Sequence, residues 1–147
     1  GESTTMDILI DRFELRQPLK EFAGRKPIWG TCAGLIMLSR HIEDNLAGVK
    51  PLGLMDIDVL RNGYGRQVFS FEESLTARLD DRSVTFNGTF IRAPRIIRVG
   101  GGVKSLAAYQ DSPVLVVENN LMASSFHTEL DEDTTLLEFF LRKFLPQ

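Results

Sequence analysis

The fold of this chain is decided by residues 26–40, whose sequence is KPIWGTCAGLIMLSR. Residues 26–30 form a short apolar run that predicts a buried strand, and residues 33–40 predict an apolar helix. Cys32 stands between them in the turn GTCAG, where a glycine on each side lets a strand turn sharply into a helix. We therefore expect an α/β protein in which Cys32 is exposed at the carboxyl edge of a sheet.

Helical spacing upstream of this unit and period-two alternation downstream of it predict the remaining elements. Before the unit, helices are predicted at residues 3–13 and 18–24. After it, strands are predicted near residues 55–60, 68–71, 84–92 and 103–109, followed by a hairpin of 114–117 with 122–126. The last helix is predicted at 133–144, with an apolar face made of Leu136, Leu137, Phe140 and Phe144.

Composition limits the classes of protein to consider. The 147 residues are 43% hydrophobic and 25% charged, which is typical of one globular domain, so we expect a single domain over residues 1–147. The net charge of −3 is spread along the chain, which argues against a nucleic-acid partner. No apolar run is long enough to span a membrane and no signal peptide is recognisable, so a cytoplasmic protein is expected. One cysteine excludes an internal disulfide and a multi-cysteine zinc site.

A lone cysteine is either a small buried hydrophobic residue or a reactive thiol. The turn around Cys32 has the pattern of a nucleophile elbow, in which the central side chain is held out from the sheet. The helix that begins after it is expected to lower the pKa of the thiol, because its N-terminal N–H groups favour a thiolate. The N–H of Ala33 would then point towards an oxyanion formed by attack of Cys32.

A cysteine nucleophile generally needs a base, and the chain has only two histidines. His41 follows the helix that Cys32 begins, about two helical turns away, and is expected to be a surface or helix-capping residue. His127 closes an apolar strand and is followed two residues later by Glu129. A carboxylate at that spacing in extended chain can accept the imidazole N–H and fix its tautomer. Cys32, His127 and Glu129 are therefore predicted to form a triad.

Several short segments resemble, in order along the chain, the glutaminase subunits of pyridoxal 5′-phosphate synthase. They are GESTTM at residues 1–6, GTCAGLI at 30–36, RN at 61–62 with GRQ at 65–67 and SFE at 70–72, FIRAP at 90–94, and SFHTEL at 125–130. The cysteine turn and the histidine-glutamate pair are shared by class I glutamine amidotransferases at large, whereas the RN, GRQ and FIRAP segments point to this family. The resemblance implies a flavodoxin-like three-layer fold with a mixed sheet.

The resemblance also implies a role for each matching residue. Cys32 is the nucleophile, His127 the general base and acid, and Glu129 the residue that orients His127. The remaining implied residues bind L-glutamine; they are Gly1, Glu2, Ser3, Arg61, Ile91 and Arg92, and the N–H groups of Gly1 and Ala33 form the oxyanion hole. No metal or organic cofactor is implied. The ammonia released would pass to a barrel-shaped synthase subunit, the implied protein partner.

The chain departs from the family in two ways. Thr128 stands where the family usually has proline, and without the proline ring we expect His127 to be less rigidly held. Family members also have a segment before the GES sequence that contains the first strand of the sheet. We therefore expect this chain to be truncated at its amino terminus and to lack the corresponding strands.

Three alternatives remain open at the level of sequence. Another class I amidotransferase would carry the same triad and feed its ammonia to a different acceptor. A cysteine hydrolase or peptidase could be built on a similar elbow. A non-catalytic, truncated subunit could bind the synthase without turning over glutamine.

Overall fold

The computed structural model describes residues 2–64 and 69–145. Four helices are formed, and they are α1 (Glu2–Arg12), α2 (Arg16–Ala23), α3 (Ala33–Leu38) and α4 (Thr135–Phe144). The strands are β1 (Ile28–Thr31), β2 (His41–Ile42), β3 (Ile57–Leu60), β4 (Ser70–Leu79), β5 (Arg82–Ile91), β6 (Arg95–Val99), β7 (Lys104–Tyr109), β8 (Ser112–Glu118) and β9 (Leu121–Ser124). Among these residues, no helix has the length and apolar character required to cross a membrane.

A four-stranded sheet with the order β1-β9-β8-β7 forms the centre of the protein. β1 and β9 are parallel, from the pair Ile28 and Leu121 to the pair Thr31 and Ser124, whereas β8 is antiparallel to both β9 and β7. This is the mixed sheet that was expected. The predicted hairpin around residues 119–120 is confirmed as β8 and β9, and Asn119 adopts the positive φ of 55° that its turn requires.

The two faces of the central sheet bury different sets of side chains, because successive residues of a strand point in opposite directions. Val116 and Ala123 belong to one apolar cluster, and Leu115 and Met122 belong to the other. The first cluster includes residues of α1 to α3 and of a second sheet with the order β2-β3-β6. The second includes residues of α4 and of the two-stranded β4-β5 sheet. The result is a three-layer α/β arrangement.

The β4-β5 hairpin is longer than the sequence pattern predicted. Its ladder runs from Ser70 opposite Ile91 to Leu79 opposite Arg82, and Leu75, Ala77 and Leu79 alternate inward with exposed residues. The prediction near residues 68–71 covered only the start of β4, and its first residue, Val68, lies outside the described residues. β6 was not predicted. The exposed positions of β4 are mostly polar or charged, which diluted its apolar signal, whereas β6 is only five residues long and its sequence RIIRV has no period-two alternation.

Two helix predictions need correction. α3 ends at Leu38 rather than at residue 40, because Ser39 is extended and the N–H of Arg40 donates to Ile57 O at 3.0 Å. His41 therefore begins strand β2 and does not lie at the end of a helix. In α4, Leu136 and Phe139 are fully buried, whereas Leu137 is 46% exposed, so the buried face is rotated from the one predicted.

Candidate active site

Cys32 lies in a strained backbone conformation between β1 and α3. Its φ is 55° and its ψ is −105°, a region that non-glycine residues seldom adopt. The N–H of Cys32 donates to Ser124 O at 2.9 Å, which continues the pairing of β1 with β9. Its carbonyl accepts the N–H of Ile36 at 3.2 Å in the first turn of α3. The parallel ladder and the helix together hold the elbow that the sequence predicted.

The two glycines that flank the elbow differ in what the structure requires of them. A Cβ atom at Gly30 would lie 2.6 Å from both Gly34 O and a methyl group of Leu38, so only glycine lets α3 pack this closely on β1. A Cβ atom at Gly34 would meet no atom within 4 Å. The close approach of helix and strand therefore depends on Gly30 rather than on both glycines.

The thiol of Cys32 is buried rather than exposed as the elbow pattern predicted, and burial favours the neutral thiol over the thiolate. It is 7% exposed, and Sγ donates to Ile91 O at 3.8 Å. The pKa of Cys32 is raised to about 11, mainly by burial and also by the negative charges of Glu2 and Glu129, and the N–H of Ala33 only partly opposes them. The N–H of Ala33 at the start of the helix does lower the pKa as expected, but burial outweighs it, so the expected net lowering is wrong.

His127 is held by backbone pairing to the neighbouring hairpin. Its N–H donates to Thr89 O at 2.7 Å, and Thr89 N–H donates back to His127 O at 3.1 Å. The Nδ1 atom of the imidazole forms a short hydrogen bond with Glu129 Oε1, and Glu129 Oε2 accepts the N–H of Thr128 at 3.0 Å. With Nδ1 engaged by a carboxylate, Nε2 is the ring nitrogen available for proton transfer.

Glu129 is stabilised as a carboxylate by this arrangement. Burial raises its pKa, but the hydrogen bond to His127 and the N–H donors of the backbone outweigh burial and lower the pKa below its usual value. The negative charge of Glu129 therefore persists at neutral pH. It can fix the tautomer of His127 and stabilise the imidazolium that forms when His127 accepts a proton.

Two arginines reach the same region from different elements. The guanidinium of Arg61, in the loop after β3, donates from Nε to Ser3 Oγ at 3.1 Å and from Nη2 to Thr4 Oγ1 at 3.0 Å. Arg92, which follows β5 and has a φ of 44°, donates its N–H to Phe69 O at 2.8 Å. Its guanidinium lies 4.0 Å from the centre of the Phe69 ring in a cation–π contact.

A cavity of about 610 Å³ brings these side chains together. Its lining includes each described residue to which the resemblance gives a role, namely Cys32, Ala33, His127, Glu129, Glu2, Ser3, Arg61, Ile91 and Arg92. Gly1, the other predicted residue, lies outside the described residues. His41 is not part of this lining, and its Nε2 lies 3.2 Å from Glu43 on the exposed surface. The cavity is large enough for an amino-acid substrate.

The lining also contains four residues that sequence reasoning did not assign, namely Ile36, Asn62, Phe69 and Leu130. Ile36, Asn62 and Leu130 lie inside the GTCAGLI, RN and SFHTEL segments of the resemblance, which was an available signal, although no role was assigned to them. Phe69 and Leu130 are 60% and 61% exposed, and no periodic pattern distinguishes them from ordinary surface residues. Among the described residues, no group of three or more His, Cys, Asp or Glu side chains is placed to hold a metal ion.

Comparison with known proteins identifies similar sequences along nearly the whole chain. The model of the SNO glutamine amidotransferase family matches residues 1–146. This chain belongs to that family. Its relatives include the pyridoxal 5′-phosphate synthase subunit PdxT of Dehalococcoides mccartyi, which is 46% identical over 144 residues, corresponding to 97% of this chain and 73% of the relative. The subunit of the same name from Geobacillus kaustophilus is 49% identical, over 96% of this chain and 70% of its own length.

A solved structure from the same group of proteins supports the fold. It is a crystal structure of a glutamine amidotransferase that superimposes with a TM-score of 0.87 at 41% sequence identity, covering 97% of this chain and 74% of the other. The glutamine amidotransferase fold expected from the resemblance is thereby confirmed. The family match extends over both the cysteine elbow and the histidine-glutamate segment.

Proposed function

We propose that this protein hydrolyses L-glutamine to glutamate and ammonia as the glutaminase of a pyridoxal 5′-phosphate synthase. Membership of the glutamine amidotransferase family and the names of its relatives support the reaction and the pathway of vitamin B6 biosynthesis. One observation supports the mechanism. The same cavity is lined by Cys32, at its strained elbow, and by the hydrogen-bonded pair of His127 and Glu129.

In the proposed mechanism, Sγ of Cys32 attacks the side-chain amide carbon of glutamine while its proton passes to Nε2 of His127. The tetrahedral oxyanion is stabilised by backbone N–H groups, those of Ala33 and Gly1. When the C–N bond breaks, His127 gives the proton to the departing ammonia. Water then attacks the thioester carbon, His127 accepts a proton from the water and returns one to sulfur, and glutamate leaves.

The raised pKa of Cys32 shapes the first step of this mechanism. Because the thiol is neutral at physiological pH, proton transfer to His127 accompanies the attack on glutamine. A thiol that stays protonated in the absence of substrate is also a poor target for unwanted alkylation or oxidation. Glu129, which remains ionised, stabilises the imidazolium formed during this transfer.

The proposed substrate contacts use the two arginines and the first turn of α1. The guanidinium groups of Arg61 and Arg92 provide paired N–H donors for the α-carboxylate of glutamine. Glu2 and Ser3 lie in the same cavity, where a carboxylate and a hydroxyl can accept hydrogen bonds from the α-ammonium group. Ile91 supplies a backbone carbonyl close to the thiol. Ammonia released here is delivered to the synthase subunit that uses it.

The direct test is glutaminase turnover of the intact protein with and without its synthase partner, for the natural sequence and for Cys32→Ala. We expect turnover to fall to the level of the uncatalysed reaction in Cys32→Ala under both conditions. Full turnover by Cys32→Ala would overturn the triad. Absence of turnover by the natural sequence, even with the synthase present, would favour the non-catalytic subunit instead.

A further inference from the structure

The loop that carries Arg61 is held by a carboxylate from the preceding strand-loop segment. Asp44 Oδ1 accepts the backbone N–H of Arg61 at 2.6 Å, and Asp44 Oδ2 accepts the N–H of Asn62 at 3.3 Å. Asp44 is half-buried and, unlike Arg61 and Asn62, is not one of the described residues that line the cavity. Its carboxylate therefore acts on the backbone of two cavity residues without contributing to the cavity itself.

Strand register explains why Asp44 lies beside Arg61. β2 and β3 are parallel, with Ile42 opposite Val59, and Glu43 N–H donates to Val59 O at 2.9 Å just beyond β2. Residues that follow two parallel strands at the same offset lie side by side. Continuing this register by two residues brings Asp44 next to Arg61, which leaves β3 at its carboxyl end.

The other end of the loop is held by the segment that contains Arg92. Gly63 N–H donates to Ala93 O at 3.2 Å, and a Cβ atom at Gly63 would lie 2.0 Å from the Cβ of Arg95. The backbone from Arg61 to Gly63 is thus fixed on one side by Asp44 and on the other by residues that follow β5. The positions of Arg61 and Arg92 are linked through this backbone.

Asp44 binds the backbone of the loop and not the guanidinium of Arg61, which leaves the positive charge of Arg61 available to a substrate. A carboxylate paired directly with the guanidinium would neutralise it and compete with a substrate carboxylate. Asp44 instead binds backbone N–H groups, so it orients the loop while the guanidinium remains directed towards the hydroxyl groups of Ser3 and Thr4. Hydrogen bonds to a carboxylate are also stronger than hydrogen bonds between two neutral groups.

We propose that Asp44 is a positioning residue that fixes Arg61 for recognition of the α-carboxylate of the amino-acid substrate. The inference rests on the proposed glutaminase function. Asp44 acts before the chemical step and equally in the ground state and the transition state, because the α-carboxylate does not change during the reaction. Loss of Asp44 therefore raises KM for glutamine and leaves kcat nearly unchanged.

The test compares glutamine kinetics of the synthase complex containing Asp44→Ala, Asp44→Asn or Glu43→Ala. For Asp44→Ala we expect KM to rise roughly tenfold, as for loss of charge-assisted hydrogen bonds, with kcat within about twofold of the natural sequence. Asp44→Asn keeps one oxygen as an acceptor and is expected to recover about half of that loss on a logarithmic scale. Glu43→Ala removes the same charge from an exposed neighbour that contacts His41, and is expected to leave KM unchanged.

A second measurement separates positioning from general disruption. Iodoacetamide has no carboxylate for Arg61 to bind, so its rate of reaction with Cys32 should be the same in Asp44→Ala as in the natural sequence. A diazoketone analogue of glutamine retains the α-carboxylate, so its reaction at low concentration should slow roughly tenfold, in parallel with KM. Equal slowing of both reagents would indicate a structural role and overturn the inference.

The failure of this inference is distinguishable from failure of the proposed function. Turnover that survives Cys32→Ala would overturn the function. Turnover that depends on Cys32, with KM unchanged in both Asp44→Ala and Asp44→Asn, would overturn only the role of Asp44. Should Asp44→Ala not fold, Asp44→Asn decides alone, with an increase in KM of about threefold supporting the role and an unchanged KM contradicting it.

Discussion

The thiol of Cys32 donates to the carbonyl oxygen of Ile91 across a distance of 3.8 Å. This contact joins the nucleophile elbow to the end of β5, immediately before Arg92. A carbonyl oxygen can accept the S–H proton but disfavours a thiolate, so the contact agrees with a protonated Cys32. Arg92, a proposed substrate-binding residue, and the thiol of Cys32 are thus linked through one short stretch of backbone.

The pH dependence of alkylation should report the protonation of Cys32. Free thiols have a pKa of about 8.5, whereas the pKa of Cys32 is raised to about 11, so the alkylation rate should still be rising steeply between pH 9 and pH 11. Glu2→Gln removes one of the negative charges that raise this pKa and should move the curve to lower pH. The measurement is the iodoacetamide rate from pH 7 to 11. A rate that reaches half its maximum at about pH 8.5 and then levels off would contradict the raised pKa.

The same shift predicts a loss of stability at high pH. Because the folded pKa of Cys32 lies above its unfolded value, the folded state holds the thiol proton more tightly between these two values. The stabilising contribution is therefore complete below about pH 8.5 and is lost as pH rises towards about 11. Urea unfolding of the natural sequence and of Cys32→Ala should show a steeper decline for the natural sequence in this window. Parallel pH profiles for the two proteins would contradict it.

Removal of Glu129 should impair the chemical step rather than binding. Glu129→Ala leaves Nδ1 of His127 without its carboxylate and is expected to lower kcat roughly 100-fold, within the range of general acid-base contributions. KM for glutamine should change little. Glu132→Ala provides the matched control, since it removes an exposed carboxylate from the same turn region. Steady-state kinetics with the synthase present would decide, and a normal kcat for Glu129→Ala would remove this residue from the triad.

Thr128 offers a test of how His127 and Glu129 are held. Two hydrogen bonds to Thr89 already fix the backbone of His127, and the N–H of Thr128 donates to Glu129 Oε2. Proline would add little rigidity here and would remove that donor. Thr128→Ala keeps the N–H and should retain kcat within about twofold, whereas Thr128→Pro should lower kcat by up to about tenfold, as for loss of one hydrogen bond to a charged group.

The opposite outcome for Thr128→Pro would have a clear meaning. A higher kcat in Thr128→Pro than in the natural sequence would show that threonine costs preorganisation, as the comparison with the family pattern predicted. The measurement is kcat for both variants in the presence of the synthase. Thr128→Ala separates loss of the side chain from loss of the backbone donor.

The two glycines of the elbow should respond differently to alanine. Gly30→Ala places a Cβ atom 2.6 Å from Gly34 O and from Leu38, and should destabilise the protein by about 3 kcal/mol, at the upper end of overpacking effects. Gly34→Ala meets no atom within 4 Å and lies in α3, so higher helix propensity should stabilise it by up to ~1 kcal/mol. Urea unfolding curves would measure both. Equal destabilisation would contradict the asymmetry of the elbow.

Much of the fold was predictable because residues 26–40 combine a short apolar strand, a glycine turn and an apolar helix with little ambiguity. The β8-β9 hairpin was predictable for the same reason, since its turn residues separate two apolar runs. The full length of β4 was not, because apolar alternation is weak at its start, and β6 was not, because its five residues carry no period-two alternation. The end of α3 depended on pairing of Arg40 with Ile57, which lies 17 residues away.

The candidate site was predictable to a different degree for each residue. Cys32 and the His127–Glu129 pair carry local patterns, a strand-helix turn and a two-residue spacing, that residue chemistry alone can interpret. Arg61 and Arg92 carry no such pattern and were assigned through the family resemblance. Asp44 and Phe69 belong to neither group, because their relation to the cavity arises from strand register and surface shape.

Local turn chemistry and apolar periodicity act over a few residues, so the α/β class and the cysteine elbow can be recognised from sequence alone. The raised pKa of Cys32 depends instead on tertiary structure, since burial and the charges of Glu2 and Glu129 involve segments far apart in the chain. The parallel register of β2 and β3 likewise decided that Asp44 supports Arg61. Desolvation and strand register are properties of the packed chain, and no local pattern encodes them.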